Sequence, residues 1–262
     1  MQDSGNESEN DWFVSWFDDP HYHRLYAHRS QEEADALIAN LHNRLAWTPG
    51  RIIDMGCGKG RHAAAAAKVG TSGEGGHQVL GVDLSPASIE AARKNFSSVP
   101  RLQFMEGDMR NFSLEQAGDV APFDIALSLF TSFGYFDDAK DNARVIANFH
   151  RLLAPGGILV LDFLNTTLAK AHMITQERIQ RDDITFEVKR WFSAEPSPGH
   201  FYKQIKWEGG EQTERVQALG FGDLTGLLKD GGFEILHTFG DYKLSPYAAD
   251  VSPRCLLVSK RL

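Results

Sequence analysis

Three carboxylates in this sequence stand where a bound ligand would need them. Asp54 ends the apolar run that begins at Arg51, Asp83 ends the run VLGVD, and Asp108 follows a third run in FMEGDM. Between Asp54 and an alanine-rich segment lie Gly56, Gly58 and Gly60 in alternation. Such glycines permit φ > 0 and let a ligand lie directly on the backbone. In a doubly wound sheet the ligand crevice lies outside the carboxyl ends of the strands. An acid after the second strand is placed to accept both hydroxyls of a ribose. An acid after the third lies further out, where an adenine amino group can donate to it. The acid before the glycine turn faces the opposite end of the ligand. A nucleoside with a positively charged tail fits this set better than a pyrophosphate. The turn agrees, because counted from Gly56 the sixth position is Arg61, so the G-x-G-x-x-G/A dinucleotide fingerprint fails.

The elements that must hold these acids follow from hydrophobic periodicity. Residues 52–55, 78–83, 102–105, 123–129 and 158–163 read as strands. Residues 62–69, 86–95 and 138–153 read as helices between them, the last closed by Pro155-Gly156-Gly157. This order implies a Rossmann-like, doubly wound α/β sheet with right-handed crossovers. After Asn165 the period changes to two over 184–192, 200–207 and 212–219, which implies an inserted antiparallel β unit. A helix over 224–230 and strands over 233–239 and 255–260 complete a seven-stranded sheet whose last strand is antiparallel. The expected division is an N-terminal arm and helix over 1–45 covering the site, a core of 46–165 and 219–262, and inserted strands over 166–218. The arm carries an aromatic cluster (Trp12, Phe13, Trp16, Phe17, Tyr22, Tyr26) and a capping box, Ser30 with Glu33. The first ten residues have nothing to bury and read as disordered.

Composition sets bounds. The 262 residues include 27 basic and 35 acidic side chains, a net charge of −8. That balance argues against a nucleic-acid partner, whose binding rests on phosphate neutralisation. Two cysteines without metal-ligand spacing point to a reducing compartment, and no signal-like or membrane-length apolar segment is present, so a cytoplasmic location is expected. His21, His23 and His28 lack a matching set of acids, so no metal is expected.

Taken together, IIDMGCGKG, VLGVDLS, GDM, FDIALSLFTSFGYF and LLAPGGILVLDF resemble, in order and spacing, the motifs of class I S-adenosylmethionine-dependent methyltransferases. The resemblance implies S-adenosylmethionine as cofactor. It also implies roles at matching positions. Gly56, Gly58 and Gly60 would admit the methionyl part, and Asp54 would support its ammonium group, directly or through water. Asp83 would hold the ribose, Leu84 would pack on adenine, and Asp108 would accept from the adenine amino group with the Met109 backbone beside the ring. The Leu129 carbonyl would bind the methionyl amine.

The acceptor side is less defined. Methyl transfer from a sulfonium depends chiefly on holding a nucleophile in line, and a base is needed only for a protonated acceptor. No N/D-P-P-Y/F follows the fourth strand, and Cys57 lies within the turn, so base-amino and cytosine-C5 chemistry are disfavoured. Tyr135 is expected either to border the reaction cavity or to pack. Asp162 is expected either to bind a substrate amine or to serve the structure. Tyr26 and Arg29 are candidates for the cofactor's carboxylate end or the substrate. The inserted strands read as a substrate lid or a dimer contact. The expected partner is a small-molecule acceptor methylated at N, O or C, with the protein a monomer or homodimer. An RNA or protein methyltransferase of the same fold, prompted by Lys189, Arg190, Lys203 and Lys206, and a non-catalytic binding module are the alternatives.

Overall fold

The computed structural model describes residues 11–27, 29–70, 76–118 and 121–262. The expectation of disorder over the first ten residues, and His28, lie outside the described residues. The core strands are β1 (Arg51–Met55), β2 (Gln78–Asp83), β3 (Leu102–Glu106), β4 (Phe123–Ser128), β5 (Leu153–Leu164), β10 (Phe233–Phe239) and β11 (Arg254–Arg261), in the order β10-β11-β5-β4-β1-β2-β3. β1 pairs in parallel with both β2 and β4, so the chain reverses its winding at β1/β4. β11 is antiparallel to both neighbours, as expected. Helices α4 (Arg61–Lys68), α5 (Pro86–Asn95), α6 (Ala139–Leu152) and α8 (Phe221–Asp230) accompany the sheet. In α4, Ala63 to Ala67 are all buried, and their small side chains allow the helix to lie close against its neighbours.

Two departures from the sequence reading have physical causes. β5 begins at Leu153 rather than Ile158, because the Pro-Gly-Gly segment is taken up as a register shift against β4 between Phe123 and Ile125. The inserted unit has four strands, β6 (Gln176–Arg181), β7 (Ile184–Ser193), β8 (His200–Trp207) and β9 (Gly210–Gln217), preceded by the short helix α7 (Thr166–Ala171). β6, QERIQR, escaped notice because it offers one apolar residue; pairing with β7 makes it a strand, not burial of its own side chains.

The arm folds as α1 (Trp12–Asp18), α2 (Pro20–Leu25) and α3 (Gln31–Leu45). Asp19 caps α2, its side chain accepting from the His21 N–H at 2.7 Å. Ser30 caps α3 by accepting from the Glu33 N–H at 3.1 Å, while the Glu33 carboxylate takes Arg61 at 3.0 Å. The inner face of the inserted sheet packs on this arm: Trp16, Leu25, Phe186, Val188 and Ile205 form one buried cluster, and Trp16 stacks on Trp207.

Candidate active site

Outside the carboxyl ends of β1, β2, β3 and β4 lies a cavity of about 420 Å³. Its floor is the glycine turn. Gly56 and Gly58 adopt φ of +77° and +53°, a region that L side chains rarely enter. A Cβ on Gly56 would meet the Ser132 side chain at 2.5 Å, whereas one on Gly58 meets nothing within 4 Å, so open space adjoins the turn there.

The acids converge as the spacing implied. Asp83 lines the cavity; its Oδ1 accepts from the Ser85 N–H at 2.9 Å and its Oδ2 from the Gly58 N–H at 2.7 Å. The carboxylate, which the Leu84 N–H also meets, keeps acceptor capacity for a hydroxyl donor. Burial raises this carboxyl above its ordinary range, against the pull of those N–H groups. Asp108 also lines the cavity, gripped by Arg110 through Nε at 2.9 Å and a terminal nitrogen at 2.6 Å. Arg110 reaches on to Asp11 at 2.7 Å and Asp141 at 3.3 Å, tying this end of the cleft to the arm. Leu84, Met109 and Leu129 line the wall, and the Leu129 carbonyl accepts from the Ser132 hydroxyl at 2.8 Å.

Asp54 lies beneath this wall rather than in it. It is 1% exposed, and its Oδ2 has no hydrogen-bond partner among the described residues. Burial, reinforced by the Asp83 charge, pushes its carboxyl up to about 7. A buried acceptor left unmade is costly, and a cation or a donor brought by a ligand relieves that cost. At the same end, among the described residues, two buried guanidinium nitrogens, Arg29 Nε and Arg61 Nη2, and one imidazole nitrogen, His62 Nε2, also lack partners. All three residues line the cavity. Burial, with Arg61 and Arg29 nearby, pulls His62 down to about 3, so its ring is neutral. The Arg29 and Arg61 guanidinium carbons lie 4.6 Å and 4.7 Å from the Phe130 ring centroid. One end of the cavity thus presents carboxylate acceptors, and the other an unpaired acceptor and two guanidiniums that each keep one unpartnered nitrogen, Arg29 Nε and Arg61 Nη2. Adenosine with a zwitterionic amino-acid tail, the form of S-adenosylmethionine, fits that donor set.

Tyr26, Arg29 and Tyr135 all line the cavity, joined by Phe17, Tyr22 and His23 of the arm. Burial holds both the Tyr26 and Tyr135 phenols above their ordinary range, Tyr26 further so through Glu214, so neither is an anion near neutrality. Asp162 is placed differently from the expectation that it faces the crevice. It is fully buried and does not line the cavity. Its Oδ1 accepts from Arg254 Nε at 2.8 Å, and its Oδ2 accepts from the Phe130 N–H and the Tyr242 hydroxyl, each at 2.8 Å. A substrate amine has no access to it. It holds the loop after β4, where Phe130 and Thr131 stand at φ of +60° and +61°. Backbone strain of that kind costs about 1–3 kcal/mol per residue and persists only where surroundings enforce it.

The sequence reading missed Tyr22, Arg61, His62 and the strained Phe130-Thr131 pair. Arg61 was visible only as a failed glycine. Three of the four basic residues singled out on the inserted strands pair with acids: Arg190 with Glu177, Lys203 with Glu214 at 3.7 Å and Lys206 with Glu211 at 3.0 Å. Among the described residues no group of three or more His, Cys, Asp or Glu could hold a metal, and no helix is long and apolar enough to cross a membrane.

Comparison with known proteins agrees with this geometry. The methyltransferase-domain family model matches residues 52–157, which span the glycine turn and all three acids. The Bacillus subtilis (strain 168) protein YqeM is 26% identical over 200 residues, 74% of this chain and 77% of its own length. Trans-aconitate 2-methyltransferase of Shigella flexneri serotype 5b (strain 8401) is 28% identical over 153 residues, 58% of this chain; the chain spans 54% of that enzyme. A crystal structure of an S-adenosylmethionine-dependent methyltransferase from Clostridium acetobutylicum ATCC 824 superposes with a TM-score of 0.73 at 16% identity, covering 95% of this chain and 97% of that one. The motifs in order, the sheet in the expected topology and the methyltransferase relatives together support the class I S-adenosylmethionine-dependent methyltransferase family for this chain.

Proposed function

We propose that this enzyme transfers the methyl group of S-adenosylmethionine to a small organic acceptor, at a nitrogen, oxygen or carbon nucleophile, held between the arm and the loop after β4. The observation that carries this reading is the roof of the cavity. Phe17, Tyr22, Tyr26 and Tyr135 enclose the methionyl end in aromatic side chains, which suits a compact, partly apolar acceptor better than a polymer. The inner face of the inserted sheet is occupied by the arm of the same chain, which favours a lid over a dimer contact for that unit. Three of the four basic residues that prompted the RNA reading, Arg190, Lys203 and Lys206, are matched by acids, which weakens the case for an RNA acceptor.

In this reading Asp83 accepts from the ribose hydroxyls and Asp108 from the adenine amino group. The Leu129 carbonyl receives the ammonium group, with Asp54 supporting it from beneath through water, and Arg29 with Arg61 takes the carboxylate. The bound donor supplies an electrophilic methyl group. The protein orients it and excludes water, and Tyr135 stands at the acceptor side as a neutral hydrogen-bonding phenol. A carboxylate acceptor, the group that the name of the trans-aconitate relatives suggests, would need no base; an amine or hydroxyl would have to lose a proton.

Incubating the protein with S-adenosylmethionine labelled in the methyl group, separately with a small-metabolite extract, total RNA and total protein, tests the reading. Label should enter only low-mass products. Label retained by RNA or protein would replace it.

A further inference from the structure

Among the described residues none of the inserted sheet lines the cavity; the sheet reaches it through the arm, on which its inner face packs. A row of charged side chains crosses its inner face. Glu177 pairs with Arg190, Arg190 stands opposite Lys203 on the next strand, and Lys203 stands opposite Glu214. The row ends on the arm. Glu214 is 9% exposed and accepts from Trp16 Nε1 at 2.8 Å and from the Tyr26 hydroxyl at 2.6 Å. Lys203 donates to the same hydroxyl at 2.7 Å. The Tyr26 phenol is therefore held by an acid and a base from two adjacent strands, a placement its own helix turn does not fix. On the face of that ring lies the Arg29 guanidinium, 4.2 Å from the centroid, with a further hydrogen bond to Tyr22 at 3.3 Å. Among the described residues Arg29 has no carboxylate partner, and its Nε has no partner at all.

We propose that Glu214 is a positioning residue for the donor: through Tyr26 it sets the orientation of Arg29, and so the enzyme's grip on the carboxylate of the methionyl group. The physical logic is that a guanidinium binds a carboxylate well only in its planar fork geometry, so fixing the plane on which it stacks fixes the strength of the contact. A buried, fully bonded network can specify that plane where a single surface contact cannot. The inserted strands are then part of the cofactor site, although they lie far from the glycine turn in sequence. This rests on the assignment of Arg29 to the donor's carboxylate.

The test uses two ligands that share the adenosyl group and differ in the amino-acid tail, S-adenosylhomocysteine and 5′-methylthioadenosine, titrated calorimetrically into the full chain. Arg29→Ala should lower the affinity for S-adenosylhomocysteine by about tenfold to a hundredfold, the range of a charge-assisted hydrogen bond, and leave methylthioadenosine unchanged. Glu214→Gln should lower S-adenosylhomocysteine by about fivefold and also spare methylthioadenosine, and with Arg29→Ala it should add nothing further, as coupled positions do. Tyr26→Phe keeps the ring beneath Arg29 but cuts both anchoring bonds, and should reproduce Glu214→Gln should that variant fold poorly. A parallel loss of both ligands in the Glu214 and Tyr26 variants would mean that the network only packs the arm, and would overturn the proposal, as would no change in either ligand. An unchanged ratio in Arg29→Ala would instead overturn the carboxylate assignment itself.

Discussion

The two halves of the cavity are built on different principles. The donor half is made of strand ends. Asp83 and Asp108 sit where β2 and β3 finish, the glycine turn joins β1 to α4, and most of the contacts that fix these groups are backbone N–H groups or near neighbours such as Ser85 and Arg110. The acceptor half is made of side chains brought from far apart. Trp16 reaches Glu214 across 198 positions, and Trp12 Nε1 donates to the Tyr135 carbonyl across 123. A site made from strand ends is set once the sheet has formed. A site made from an arm and the loop after β4, with the arm backed by an inserted sheet, depends on long-range packing, and it can change with those segments while the donor half stays as it is.

The joint between the halves is the strongest place to break them apart. Asp162 holds the Phe130-Thr131 loop from below while pairing with Arg254 at 2.8 Å. Asp162→Asn should strand the Arg254 guanidinium, and breaking a buried pair by removing one partner costs about 3–5 kcal/mol. Urea unfolding should show that loss, with affinity for S-adenosylhomocysteine reduced as the loop relaxes. A variant of wild-type stability would mean that the loop geometry is held by something else.

Within the donor half, Asp83→Ala removes the acceptor that the proposed function assigns to both ribose hydroxyls. Two hydrogen bonds to a charged acceptor place the loss at roughly 3 kcal/mol or more, about a hundredfold in affinity. Calorimetry with S-adenosylhomocysteine decides it, and an unchanged affinity would remove the ribose assignment.

Much of this was legible in the sequence, for a reason that the comparison of the two halves supplies. Asp54, Gly58, Asp83 and Asp108 work through strand position, and hydrophobic periodicity reveals strand position. The antiparallel last strand and the inserted strands β7 and β8 were legible for the same reason. What escaped was whatever tertiary contact alone decides. β6 is too polar to announce itself. The aromatic cluster of the arm gave no sign of two helices capped in part by Asp19. Asp162, at the end of a core strand just like Asp54, gave no sign that Arg254, 92 positions later, would enclose it. Two acids near the ends of core strands thus have opposite fates. Arg254 satisfies one from within, whereas the other keeps an unpaired oxygen beneath the cavity.

That unpaired oxygen predicts a pH dependence. With Asp54 raised to about 7, its carboxylate is mostly protonated at pH 6 and mostly ionised at pH 8. An ionised Asp54 attracts the ligand's ammonium group, so affinity for S-adenosylhomocysteine should rise by up to about tenfold across that interval. Asp54→Asn should flatten the rise. Because the Asp83 charge is the second cause of the shift, Asp83→Ala should move the rise to lower pH. Stability runs the other way. The folded state holds a proton that the unfolded chain, with an ordinary carboxyl near 3.8, releases, so this group's contribution to stability falls as pH climbs from about 4 to about 7.

The smallest expected effect tests how firmly the acceptor half is fastened to the donor half. Asp18, at the end of α1, accepts from the Ser85 hydroxyl at 2.7 Å and the Ala87 N–H at 2.8 Å. It thereby latches the arm to the first turn of α5, two residues beyond Asp83. A negative charge near a helix N-terminus, with one cap-like bond, contributes about 1 kcal/mol. Asp18→Ala should therefore leave global unfolding nearly unchanged, yet loosen the arm locally, because the contacts that remain, from Trp16 to the inserted sheet and from Asp11 to Arg110, hold it from the other sides. Hydrogen exchange over residues 12–25 should quicken by about fivefold, the factor that corresponds to 1 kcal/mol, while exchange in β1 and β4 stays as it was. Faster exchange in β1 and β4 as well would mean that the arm and the sheet unfold as one unit, and that the two halves are separable in construction but not in stability.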